Sequence, residues 1–235
     1  MNIRKLLKNF DKTAHLMEST LSERYGKELA EKLCTDARKE YEKIIPEIPF
    51  IKGARAKALN AFLLITAQEL AVYRTMKKNG KSPGEAWELC HKALRLRMGE
   101  YSKIKKWLIK KLMFSKLLKK RVKMRAEKNL LMKVGDFEIR YIAGDGKEFD
   151  WGVDYVKCAN FNFLKAQGAE EFAPYVCMSD IALGDALEWG LIRTHTIADG
   201  FATCDFRFKK GSGCSISSKT PEVQQTIERI KIQGH

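Results

Sequence analysis

The chain has 235 residues, of which 45% are apolar and 31% are charged. This balance excludes an intrinsically disordered chain and predicts a folded protein with a substantial core. No apolar run approaches the roughly 18 residues that a membrane span needs, and the first residues lack the apolar segment of a secretory signal. We therefore predict a cytoplasmic protein whose six scattered cysteines are free thiols.

The first hundred residues are predicted to be helical, because apolar residues recur at intervals of three and four. The predicted helical ranges are 3–14, 25–45, 57–78 and 83–98. Pro46 and Pro49 interrupt the chain between the second and third of these helices. Ser82, followed by Pro83 and Glu85, is a typical signature of a helix start.

Residues 102–128 carry most of the charge of the chain. They contain twelve Lys and Arg and one Glu, a net +11 out of +15 for the whole chain. Apolar residues share the segment at Trp107, Leu108, Leu112, Leu117, Leu118 and Val122. The pattern predicts one basic amphipathic helix over 102–128, attached to a globule that is otherwise close to neutral.

Three interpretations of this basic segment stay open. It can be a surface helix whose lysine stems extend along its apolar stripe. Alternatively, it can contact an anionic membrane surface, since Trp and Leu beside Lys are typical of interfacial helices. Charge alone supports nucleic acid as a partner, because the chain carries no helix-turn-helix, ribonucleoprotein or zinc-finger signature.

After Gly135 the spacing of apolar residues changes from one typical of helices to one typical of strands. Alternating apolar and polar residues predict strands over 137–144 and 151–157, and a strand pair over 191–198 and 202–209 joined near Asp199 and Gly200. Helices are predicted over 158–168, 176–187 and 220–232. The chain is therefore predicted to be an α+β protein with a mostly antiparallel sheet, divided into a helical region 1–132 and an α+β domain 133–235.

Candidate functional residues concentrate between 175 and 209, where short apolar runs alternate with polar side chains. They are Cys177, Asp180, Arg193, Thr194, His195, Thr196, Cys204, Asp205 and Arg207. Strand alternation predicts that Cys204 points to the opposite face from Asp205 and Arg207. By the same rule, Arg193 and His195 are expected to share one face. The spacing also allows Asp205 and Arg207 to form an ion pair.

The order of these residues resembles a known family. The motifs are Cys177-x-x-Asp180, Arg193-Thr194-x-Thr196, Gly200 and Cys204-Asp205-Phe206, preceded by Trp151-Gly152 and Cys158. Over residues 133–210 this pattern is similar to the L-2-amino-thiazoline-4-carboxylic acid hydrolase family. The resemblance implies hydrolysis of a cyclic isothiourea, in which water opens the ring to N-carbamoyl-cysteine.

That reaction suggests roles for the candidate residues. Asp180 and Asp205 can hold a protonated amidine while one of them takes a proton from water. Arg193 or Arg207 can bind the substrate carboxylate bidentately, with Thr194 and Thr196 beside it.

A second version of the chemistry uses a thiolate of Cys177 or Cys204 as nucleophile, with His195 as acid and base. It requires a lowered thiol pKa, and Cys177 is predicted to lie in the first turn of a helix, which favours this.

No cofactor or metal site is predicted. Cys158, Cys177, Cys204 and His195 could converge on zinc, but their spacing matches no common ligand pattern. The expected partner is a small-molecule substrate. The alternative is a non-enzymatic binding or sensor module that docks to a membrane surface or a partner through residues 102–128. The oligomeric state stays open.

Overall fold

A computed structural model describes residues 2–53 and 56–232. The helices of this part of the chain are α1 (Ile3–Tyr25), α2 (Lys27–Ile44), α3 (Ala56–Lys78), α4 (Pro83–Gly99), α5 (Lys103–Met113), α6 (Lys116–Glu127), α7 (Ala159–Ala166), α8 (Ala173–Cys177), α9 (Asp180–Ala186) and α10 (Pro221–Ile232). The strands are β1 (Leu131–Val134), β2 (Phe137–Ala143), β3 (Trp151–Lys157), β4 (Leu191–Arg193), β5 (Cys204–Phe208) and β6 (Ser215–Ile216).

The N-terminal helices form where their apolar periodicity predicts them. The first helix runs further than residue 14, to Tyr25, and Gly26 with φ of 84° separates it from α2. Helix α3 is the central one, because nearly every residue from Thr66 to Met76 is buried. The start of α4 is a capping box in which Ser82 accepts the Glu85 N–H and the Glu85 carboxylate accepts the Ser82 N–H.

The strands form one sheet in the order β1-β2-β3-β5-β4-β6. All neighbours are antiparallel except β4 and β6, which are parallel. Buried residues of the helices and of the sheet belong to one continuous core. The predicted α+β class is confirmed, with a mostly antiparallel sheet. The division into two domains at residue 132 stays a prediction.

The single helix predicted over 102–128 is wrong, because the segment contains two helices. Phe114 leaves helical geometry, with φ of −108° and ψ of 19°. The Ser115 hydroxyl then accepts the N–H of Leu118 at 3.2 Å and caps the start of α6. The break at Phe114 therefore ends α5, and the cap at Ser115 begins α6 as a separate helix.

The helix predicted over 176–187 is also divided. The N–H groups of Met178, Ser179 and Ile181 each bond to the carbonyl three residues earlier. This tight turn interrupts the four-residue ladder between α8 and α9. Cys177 is therefore the last residue of α8, which corrects its predicted place in the first turn of a helix.

Candidate active site

A cavity of about 750 Å³ lies between the helices and the sheet. Alternate residues of the three longest strands line its floor, as expected when one face of a sheet is turned inward. They are Phe137, Ile139, Tyr141, Trp151, Val153, Tyr155, Cys204, Phe206 and Phe208. Residues of α3, of α5 and α6, and of α7 to α9 form the other walls. The volume is within the range of about 300–1,000 Å³ that is typical of ligand sites.

The exposed members of this lining mark the mouth of the cavity. Ala58 near the start of α3, Leu112 in α5 and Arg121 in α6 line the cavity and are also exposed to solvent. Cavity-lining residues of β5, α8 and α9 are buried or only partly exposed. The cavity therefore opens beside α5 and α6 and extends inward to the polar residues at its far end.

An ion pair between Asp180 and Arg193 dominates the polar end. Asp180 is the first residue of α9, and Arg193 ends β4. One guanidinium nitrogen of Arg193 donates to the Asp180 carboxylate, and the other donates to the Cys177 carbonyl at 2.7 Å. The guanidinium also lies 5.1 Å from the centre of the Phe206 ring. These contacts hold Arg193 in one orientation.

The electrostatics of this pair are those of a buried site. Burial raises the pKa of Asp180 above its ordinary value, and the adjacent Arg193 opposes that rise. Burial by itself would lower the pKa of Arg193, but the charge of Asp180, the hydrogen bond to it and the neighbouring cysteines together outweigh burial, and the pKa is raised. Burial therefore disfavours the charged form of Asp180, and the guanidinium of Arg193 favours it.

Glu69 of α3 brings a second carboxyl group to the cavity. Its Oε1 accepts a hydrogen bond of 2.6 Å from the Ser179 hydroxyl, which in turn accepts the indole N–H of Trp87 at 3.1 Å. Burial raises the pKa of Glu69 to about 8, the hydrogen bond from Ser179 opposes the rise, and the charge of Asp180 adds to it. Glu69 is thus mostly protonated at neutral pH.

Three cysteines line the cavity, and their thiols are protonated. Burial raises the pKa of Cys158 to about 12, with Cys177 adding to the rise. Burial likewise raises the pKa of Cys204 to about 12, although its sulfur accepts the N–H of Ile197 at 3.2 Å. The pKa of Cys177 is raised further still by burial, and Arg193 opposes this only in part. None of the three is a thiolate at neutral pH.

Several cavity-lining side chains have a polar atom that is buried without a hydrogen-bond partner among the described residues. They are Glu69 Oε2, Asn160 Oδ1, Trp189 Nε1 and Arg193 Nε. An unpaired buried polar atom costs about 1–3 kcal/mol, so these four atoms are polar groups of the cavity wall whose burial is not compensated by the described residues.

Asp205 lies on the other side of the β4–β5 hairpin, as the strand alternation predicts. Its carboxylate accepts the N–H groups of Thr194 at 2.9 Å and His195 at 2.8 Å, and the Thr194 hydroxyl at 2.7 Å. His195 stays next to this carboxylate, with Nδ1 3.5 Å from Asp205 Oδ2. Asp205 therefore stabilises the loop after β4 and does not line the cavity.

This arrangement corrects two expectations. Arg193 and His195 do not share a face, because β4 ends at Arg193 and the chain then wraps around the Asp205 carboxylate. Arg207 does not pair with Asp205. It pairs with Asp154 of β3 at 2.8 Å, away from the cavity.

The remaining threonine has a structural contact as well. The Thr196 hydroxyl accepts the N–H of Asp199 at 3.1 Å and caps the short 3₁₀ turn Ile197–Asp199. Of the nine predicted site residues, Cys177, Asp180, Arg193 and Cys204 line the cavity, and Thr194, His195, Thr196, Asp205 and Arg207 do not. Within the described ranges, no group of three or more His, Cys, Asp and Glu residues could hold a metal ion.

The sequence interpretation missed Glu69. It is 110 residues from its partner Ser179, so no local motif connects them. One signal was present in the sequence. Glu69 lies within a long, strongly apolar helical segment, and a charged residue at a core position is rare unless it has a partner or a function.

The fold and the site define an α+β protein with a ligand-sized internal cavity that carries paired carboxyl groups and a buried arginine. A family model described as L-2-amino-thiazoline-4-carboxylic acid hydrolase matches residues 61–208, which is more than half of the chain. The chain belongs to this family. The match includes Glu69 and extends into the helical half, beyond the region that the motifs cover. Neither the curated proteins nor the solved structures give a significant match.

Proposed function

We propose that the cavity binds and hydrolyses a small heterocycle with an amidine-like or isothiourea carbon, such as L-2-amino-thiazoline-4-carboxylate. One observation carries the proposal: two carboxyl groups with different environments line the same cavity. Asp180 is paired with Arg193, and Glu69 has no ionic partner among the residues that the structure describes. Carboxyl groups whose environments separate their protonation states can divide the roles of base and acid. The family membership of the chain supports the same reaction class.

In this proposal Asp180 is the base and Glu69 is the acid. Arg193 opposes the effect of burial and favours the ionised form of Asp180, and that carboxylate can hold a protonated amidine and accept a proton from water. Glu69 keeps its proton at neutral pH because its pKa is about 8. A neutral carboxyl group in an apolar wall can then donate that proton to a leaving atom.

The proposed reaction adds one water molecule across the ring. Water attacks the carbon between nitrogen and sulfur, and its proton passes to Asp180. The carbon–sulfur bond then breaks, and the sulfur leaves as a thiol with the proton from Glu69. The hydroxyl that water added to the carbon gives its remaining proton to solvent and becomes the carbonyl, which balances the proton that the amidine brought. The product is the open N-carbamoyl compound, and proton transfer through solvent restores both carboxyl groups.

The cavity favours water over a cysteine as the nucleophile. A thiolate mechanism needs a lowered pKa, whereas burial raises the pKa of both Cys177 and Cys204. His195, the predicted acid and base for such a mechanism, does not line the cavity. The cysteines then contribute apolar, polarisable surface around the ring.

The size and lining of the cavity bear on the substrate. A volume of about 750 Å³ is larger than one five-membered ring with a carboxylate requires, and most of the wall is aromatic or aliphatic. We propose that the preferred substrate carries an apolar substituent on the reactive heterocycle, which fills the space between the polar end and the mouth.

The test is thiol release from L-2-amino-thiazoline-4-carboxylate and from derivatives with aryl or alkyl substituents. Wild type is compared with Glu69→Gln and Asp180→Asn, and we expect a loss of roughly 10²- to 10⁴-fold for each. Glu69→Gln is the sharper variant, because the amide can still accept the Ser179 hydroxyl and no ion pair is broken. Asp154→Asn, outside the cavity, is the matched control. Wild-type binding without thiol release from any of these compounds would contradict the proposal.

A further inference from the structure

Helix α5 carries its apolar residues on the side that faces solvent. Ile104, Trp107, Leu108 and Leu112 are exposed by 72%, 55%, 53% and 71%. Their spacing of three and four residues places them on one stripe of the helix, which we call the outward stripe. A surface helix of a folded protein normally turns such a stripe to the core. Helix α5 therefore departs from this arrangement.

The opposite side of α5 is the one that is attached to the protein. Ile109 and Met113 are half-buried, and Lys110 pairs with Glu188. The Met113 carbonyl accepts the indole N–H of Trp151 at 3.0 Å. Helix α6 differs, because its Val122 is 1% exposed, although its Leu117 is exposed by 61%. Helix α5 has no buried residue, so an apolar stripe turned wholly to solvent is a property of α5.

Lysines accompany the outward stripe. Residues 103–113 contain five lysines and no acidic residue. Lys103, Lys105 and Lys111 are exposed, and the Lys111 ammonium lies 4.7 Å from the centre of the Trp107 ring. Apolar side chains flanked by cations are complementary to a lipid surface. The apolar side chains can pack against acyl chains, and the lysines can bind anionic headgroups.

We propose that α5 docks the protein to an anionic membrane surface, lying in the interface with its outward stripe against the acyl chains. No helix in residues 2–53 and 56–232 is long and apolar enough to cross a bilayer, which leaves contact at the surface as the mode of attachment. Nucleic acid fits the same lysines less well, because phosphates provide no partner for four exposed apolar side chains.

The position of α5 connects this surface with the cavity. Leu112 belongs to the outward stripe and also lines the cavity at its mouth. With α5 in the headgroup layer, the mouth opens next to the lipid, so an apolar ligand can pass between the bilayer and the cavity without crossing water. The docking proposal does not depend on the hydrolysis proposed above.

The experiment is sedimentation of the full chain with vesicles, either of phosphatidylcholine alone or with about a third phosphatidylserine. We expect binding to the anionic vesicles only, weakening as salt is added. Two α5 variants should each show an affinity for anionic vesicles that is lower by roughly tenfold or more: Trp107→Ser/Leu108→Ser and Lys103→Gln/Lys105→Gln/Lys111→Gln. Lys5→Gln/Lys8→Gln/Lys12→Gln, which removes three exposed lysines of α1, should bind like wild type.

Fluorescence of Trp107 provides an independent measurement. Wild type should show a blue shift on binding anionic vesicles. Trp107→Phe should bind with little shift, because Trp87 and Trp151 are already buried and Trp189 is partly buried in the cavity wall. Equal binding by wild type and both α5 variants would overturn the proposal. So would an α5-dependent dimer that does not bind vesicles, or binding to RNA in place of vesicles. Circular dichroism checks that the surface variants remain folded.

Discussion

Arg193 and Asp180 form an ion pair whose two members differ in access. Arg193 has 1% of its side chain exposed, whereas Asp180 keeps 20%, on a residue that lines the cavity. The arginine is therefore held by the protein, and the carboxylate is the member that a ligand can reach. This asymmetry suits a pair in which Arg193 positions and charges Asp180, and it leads to the first prediction.

Arg193→Met should destabilise the protein by about 3–5 kcal/mol, because it leaves the Asp180 charge without its partner in a buried site. The double variant Arg193→Met/Asp180→Asn should regain a large part of that loss, since neither charge is then left alone. Urea denaturation of the two single variants and the double variant measures the coupling. Additive losses in the cycle would show that the two residues do not stabilise each other.

Glu69 should make stability fall as the pH rises. Its pKa is raised from 4.5 to about 8 in the folded protein, so between these values the folded state holds a proton that the unfolded state has lost. The free energy of unfolding therefore decreases from about pH 4.5 to 8, by a few kcal/mol at roughly 1.4 kcal/mol per pKa unit. Glu69→Gln should remove this slope, as measured by urea denaturation across that range. Glu42→Gln, which changes an exposed carboxyl group of α2, is the control.

The same group should set the alkaline limb of activity. If Glu69 donates the proton to the leaving sulfur, kcat should decline above about pH 8, where that proton is lost. Glu69→Gln should have a low kcat that does not decline further above pH 8. A wild-type profile that stays flat well above pH 8 would assign the acid role to another group.

All six cysteines should be slow to react in the folded protein. Burial raises the pKa of each thiol above its usual value, so little thiolate exists at neutral pH. Titration with a thiol-specific reagent should therefore be slow without denaturant and count six fast thiols in urea. Cys177→Ser should keep thiol release from substrate within a few-fold of wild type. A large loss of kcat in that variant would restore the thiolate mechanism.

Asp205 should affect stability and leave the chemistry unchanged. Asp205→Ala removes the acceptor of three hydrogen bonds from Thr194 and His195, two of them backbone N–H groups. We expect a loss of about 1–3 kcal/mol in the free energy of unfolding and an unchanged kcat per folded molecule. The more conservative Asp205→Asn keeps one acceptor oxygen and should lose less. A specific loss of kcat would place Asp205 in the reaction.

Local signals were sufficient for much of the fold. The capping box at Ser82, the apolar periodicity of 57–78 and the alternation of 204–208 act within a few residues, and the structure has a helix start, a helix and a strand there. The alternation of side chains along a strand also predicted correctly that Cys204 and Asp205 lie on opposite faces of the sheet. It failed at His195 because alternation applies only while the strand continues, and β4 ends at Arg193.

By itself, the sequence determined the α+β class, most of the helices and the fact that α5 has an apolar stripe, because these depend on neighbours along the chain. Only the tertiary structure decided that Glu69 meets Ser179 and that the stripe of α5 faces outward. Periodicity establishes that a helix has an apolar side, but the packing of distant elements decides which side the core covers.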